Sequence, residues 1–75
     1  MTMGRVAAVG ERTRVAGLAL AGVTAMAAEE PHAVREAWRS LPPDVTLVIL
    51  TPAAADALGP APLESVRPLT VVMPS

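Results

Sequence analysis

The chain has 75 residues, a formal net charge of −1, a single His and no Cys or Lys. A chain of this size supports one small domain that buries only about 60–65% of the surface its unfolded form exposes, which argues against a deep catalytic pocket. The missing Cys excludes disulfides and thiolate zinc sites, the acidic balance leaves no basic footprint for nucleic acid, and an apolar content of 52% excludes a disordered chain.

"RVAAV" (Arg5–Val9), ending at Gly10, reads as a short strand buried on both faces. "ERTRVAGLALAG" follows with helix signals. Thr13 is placed to cap its start, Val15, Leu18, Ala19 and Gly22 recur at helical spacing, and Gly22 is the expected stop. Gly17 falls inside this helix, where it either lets the backbone approach a sheet or adds flexibility. "VTAMA" (Val23–Ala27) is a second, shorter strand.

The stretch from Arg14 to Ala28 is too short and too rich in Ala and Gly to span a bilayer, which takes about 20 apolar residues. It also resembles a secretory leader with an "AMA" cleavage triplet. The strand pattern before it, the acidic Glu11, the break at Gly22–Val23 and the small Cys-free remainder all argue for two pieces of a folded domain instead.

"EEPHAVREAWRSL" is the strongest helix. Pro31 suits the first helical position and Glu29 and Glu30 suit the positive end of the dipole. Val34, Ala37, Trp38 and Leu41 form one apolar stripe, with Arg35, Glu36 and Arg39 facing elsewhere and Pro42–Pro43 ending the run. "VTLVIL" (Val45–Leu50) is the most apolar strand, "PAAADAL" (Pro52–Leu58) a short helix, "GPAP" a loop, and "RPLTVVM" (Arg67–Met73) a last strand.

Strands and helices therefore alternate from end to end. The pattern predicts that residues 1–75 form a single α/β domain, a small three-layer, Rossmann-like or flavodoxin-like unit. Its four-stranded parallel sheet should have the order 2-1-3-4, with the first and third strands central. Ligands of such sheets bind beyond the carboxyl ends of the strands where strand order reverses, here between "GERT" and "TPAA".

The residues there match no ligand-binding motif. "VGERTRVAG" lacks the Gly-x-Gly-x-x-Gly of a dinucleotide fold, no Lys is present for a phosphate loop, and Thr51 stands where a phospho-acceptor carboxylate would end the third strand. His32 has no second His or Cys to share a metal and reads as a solvated helix-start residue. Trp38 reads as core or interface, and Glu29, Glu30 and Glu36 as a solvated face. No catalytic residue, cofactor or metal site is expected.

"RVAAVGERTRVAGLALAGV" resembles the opening of the F subunit of the V-type (archaeal-type) rotary ATPases. That family begins with a strand, a Gly, an acidic residue and a Val-x-Gly-Phe-x-Leu-Ala-Gly-Val element. Gly10, Glu11, Val15, Gly17, Leu20, Ala21, Gly22 and Val23 match, while Leu18 replaces the usual aromatic and Ala19 a frequent Arg. "VTLVILT" with its terminal Thr51 resembles the family's third strand, and "RPLTVVMPS" its last. The resemblance covers nearly the whole chain.

It implies a Rossmann-like, non-catalytic central-stalk component of a V-type ATPase or ATP synthase. Such a component binds the coiled-coil stalk subunit within the catalytic hexamer, coupling ATP turnover to proton or sodium transport. It would be cytoplasmic and touch the membrane only through the complex. Family members continue into a C-terminal helical segment that this sequence, ending at Ser75, does not include, so properties of that tail are not carried over. Two other readings remain open: a small nucleotide- or metabolite-binding regulatory domain, and a secreted or lipid-associated peptide processed after Ala27.

Overall fold

The computed structural model describes residues 4–64 and 68–74. Four strands, β1 (Arg5–Gly10), β2 (Thr24–Ala27), β3 (Val45–Leu50) and β4 (Leu69–Val72), form one sheet. Every pairing is parallel and the order is β2-β1-β3-β4. The arrangement expected from the alternation is the one observed, with β1 and β3 central. The helices are α1 (Arg12–Val15), continued by a 3₁₀ segment (Ala16–Ala21), α2 (Pro31–Arg39), α3 (Pro52–Leu58) and α4 (Ala61–Glu64).

The two faces of the sheet are dressed unequally. Residues paired across a parallel sheet share a face, and successive residues alternate. Ala7, Val9, Val48 and Leu50 form one buried layer with Val34 of α2 and Ala54 of α3. Ala37, Trp38 and Leu41 pack against it, so the apolar stripe expected on the second helix is the one that seats it. Ala8 and Val15 are also buried, but outside that cluster. They mark the opposite face, where α1 and its 3₁₀ extension lie against β1 and β2. Right-handed crossovers put the first helix alone on one side and the next two on the other, giving three layers.

The first helix departs from expectation. Its N-cap is Glu11, in extended geometry, and Thr13 sits exposed in the first turn. The chain then tightens to a 3₁₀ winding from Ala16, which removes Ala19 from the stripe and leaves Val15 buried and Leu18 half-buried. Gly17 has no neighbour within 4 Å of where a Cβ would stand, so it does not serve a close approach to the sheet. The expected stop is correct. Gly22 takes φ 86°, and the amides of Gly22 and Val23 donate to Ala19 O (3.1 Å) and Leu18 O (3.3 Å). Those two bonds make a Schellman ending. Val23 therefore belongs to the cap and β2 begins at Thr24.

Two boundaries also shift at the C-terminal end. The loop expected over "GPAP" is confined to Gly59 and Pro60, where the chain turns, and Ala61–Glu64 then winds one further helical turn. Pro62 fits there because first-turn residues need no N–H partner. The last strand runs over Leu69–Val72, inside the expected Arg67–Met73, of which Arg67 lies outside the described residues.

Candidate functional site

The strand-order reversal lies between β1 and β3, and the sequence there builds a polar clamp. β1 ends at Gly10, where a Cβ would collide with the Thr51 side chain. Only Gly lets the two strand ends close so tightly. Thr51, fully buried, follows β3 and caps α3: its hydroxyl oxygen accepts the Ala54 amide at 3.3 Å. The same hydroxyl donates to Glu11 Oε1 at 2.5 Å. Pro52 then starts α3 with the fixed φ a first helical residue needs.

Glu11 is held as an anion. The Thr51 hydroxyl lowers its carboxyl pKa first, its own backbone N–H and the Arg14 charge act the same way, and desolvation opposes them. Two further contacts extend the clamp around the carboxyl ends of the sheet. The Arg12 amide, at the open start of α1, donates to Glu29 Oε2 at 2.8 Å. The Arg14 guanidinium donates to Pro74 O at 2.9 Å, tying α1 to the chain leaving β4.

This arrangement fastens elements together. The Glu11 carboxylate and the Thr51 hydroxyl satisfy each other, and among the described residues no buried side-chain polar atom lacks a partner. A fixed anion at the reversal point also works against phosphate ligands, which need donors there. A concavity of about 430 Å³ lies elsewhere, where Trp38, Leu41, Pro42, Val45 and Pro68 meet at the amino ends of β3 and β4. Among the described residues its lining has no titratable side chain to do acid–base work.

The remaining candidates are dispersed. His32 is exposed on the first turn of α2. Trp38 is half-buried against the core. Glu36 pairs with Arg39 at 3.0 Å on the exposed side of α2, and Glu30 is an N-cap without a side-chain bond. Glu29 is exposed, as expected of a solvated face, and its carboxylate also accepts the Arg12 amide at the start of α1. Among the described residues no three His, Asp or Glu side chains gather as a metal site, and no helix is long and apolar enough to cross a membrane.

Sequence reasoning misses the Glu11–Thr51 pair because its partners lie 40 residues apart. The signal is present in part, since a Thr before Pro at a strand end is a common helix cap.

Compared with known proteins, the chain matches no family model, and no curated protein matches it.

Proposed function

We propose that this protein is a non-catalytic central-stalk component of a V-type rotary ATPase, corresponding to the globular part of the F subunit. The observation that carries the reading is the meeting of separate blocks of the resemblance. Gly10 and Glu11 come from its first block and Thr51 from its second, and they form one bonded unit at the centre of the fold. The Leu20–Ala21–Gly22–Val23 element of the first block lies at the Schellman ending of the α1 extension. A motif whose residues are spent on closing a strand–helix–strand unit suits a rigid coupling module better than an enzyme.

In this role the domain sits beside the membrane as part of the complex, binds the coiled-coil stalk subunit within the catalytic hexamer and turns with it. It performs no chemistry itself. Co-expression with the stalk subunit of its own cell tests this. A stable one-to-one complex is expected, as is the absence of heat on titration with ATP. Failure to form that complex overturns the reading, and nucleotide binding at the Gly10–Thr51 clamp favours a regulatory nucleotide-binding domain instead.

A further inference from the structure

The α1 face of the sheet is covered over β1 and β2 only. On that face β3 and β4 present Leu47 beside Leu69 and Ile49 beside Val71. Leu47 and Ile49 are half-buried, but Leu69 is 57% exposed and Val71 44% exposed. α3 belongs to the other face and α4, which lies against β4, leaves these two side chains open to solvent. The result is a shallow apolar trough beside α1. Arg14 spans its carboxyl end, reaching from α1 to Pro74 beyond β4.

We infer that this trough is the docking surface for one amphipathic α-helix supplied by a partner protein. The helix lies antiparallel to β3 and β4, with acidic residues in its first turn beside Arg14. The place follows from the sheet geometry alone; the identity of the partner rests on the stalk reading.

Three observations select this occupant. First, helices on parallel sheets run antiparallel to the strands, as each crossover in this chain does, and two helices cover the opposite face where one covers this one. Second, that orientation brings the incoming N-terminus to the carboxyl ends of the strands. Acidic residues are favoured at a helix N-terminus, and Arg12 and Arg14 are the charged residues α1 offers there. Among the described residues neither arginine forms a close ion pair, whereas Arg5 and Arg39 do, although the charge of Arg14 also acts on the Glu11 carboxylate. Third, four side chains, two of them already half-buried, fall well short of the roughly 800 Å² per partner of a stable dimer. They suit a helix laid in a groove, which also gains the flank of α1.

The test uses the whole chain and two synthetic amphipathic helices of about sixteen residues, each with one Leu stripe and long enough to cross the trough. One carries Glu in its first turn and the other Lys. In amide NMR titrations the Glu peptide should shift Leu47, Ile49, Leu69 and Val71 and bind about threefold tighter than the Lys peptide, as an exposed charge pair allows. Arg14→Glu should reverse that preference, and Leu69→Asp with Val71→Asp should weaken both peptides about tenfold or more while the melting curve stays cooperative.

Shifts confined to the Trp38 concavity, or no shifts at all, overturn the proposal. So does a dimer of the free chain that the Leu69→Asp, Val71→Asp pair dissolves, because the face would then belong to a second copy. The same variants mixed with the stalk subunit separate the two claims. Stalk binding that survives the Asp pair removes the trough as the docking face and leaves the stalk role standing. Peptide binding without stalk binding keeps the trough and removes the role.

Discussion

Thr51 bonds two structures at once: its hydroxyl accepts the Ala54 amide that opens α3 and donates to the Glu11 carboxylate that opens α1. One side chain thus fixes both helix starts at the strand-order reversal. Thr51→Val keeps the buried shape and loses both bonds, leaving the Ala54 amide without its cap. Loss of a Thr cap costs about 0.5–2 kcal/mol, and a decrease of about 1–2 kcal/mol is expected in urea unfolding. Thr51→Ser should recover part of it. A Val variant as stable as the parent would show that the cap contributes nothing.

Glu11 gives this clamp a pH dependence of definite sign. Its carboxyl pKa is lowered in the folded chain from its usual 4.5. The Thr51 bond therefore adds stability that is fully present above that value and fades as the pH falls through the lower folded value. The melting temperature of the parent should exceed that of Glu11→Gln at neutral pH, and the gap should close in acid below the ordinary carboxylate range. A gap independent of pH would mean that the carboxylate charge is not what Thr51 holds.

The glycines separate conformational need from steric need. Gly22 has φ 86° and open space around it, so Gly22→Val should destabilise through backbone strain, by about 1–2 kcal/mol. Gly10→Ala should be at least as damaging for a different reason, since its methyl would collide with Thr51. Gly17 has neither constraint, and Gly17→Ala should be neutral or raise stability by up to about 1 kcal/mol. Thermal unfolding of the three variants side by side checks the order; a Gly17→Ala variant less stable than the parent would contradict it.

Val48 is fully buried in β3, between β1 and β4 and beneath the α2–α3 layer. Val48→Asp leaves an unpaired charge there, at a cost of several kcal/mol against the roughly 5–15 that hold a domain. Loss of cooperative unfolding by circular dichroism is expected, and a parent-like melt would place β3 outside the core.

The sequence is most legible where one force dominates. Val45–Leu50 and Pro52–Leu58 have the expected limits because a continuous apolar run and a Pro-to-Gly span each leave one choice. The apolar stripe of α2 is equally clear, since Val34, Ala37, Trp38 and Leu41 have no other face to occupy. The region after Glu11 is less legible. Ala and Gly impose little on the winding of the chain, and Ala16–Ala21 takes 3₁₀ geometry before the Schellman ending, with Leu20 94% exposed. At the site, Gly10 and Thr51 each stand out in the sequence, but a hydrogen bond joining their strands through Glu11 needs the sheet order before it can be read.

The parallel pairing of β1 with β3 also dictates how the chain finds its shape. Neither central strand has a hairpin partner, so the first ladder to form in the middle of the sheet must wait until β3 can meet β1, and the loop between them has to close first. Pairings this distant in sequence slow folding. During synthesis, which proceeds from the N-terminus, Val6 to Val9 leave the ribosome well before the strand that will cover them. The short α1 and its 3₁₀ extension are the first local structure able to shield that strand. β2 can pair with one edge of that strand earlier, so the edge left waiting is the one that Val45–Leu50 will take.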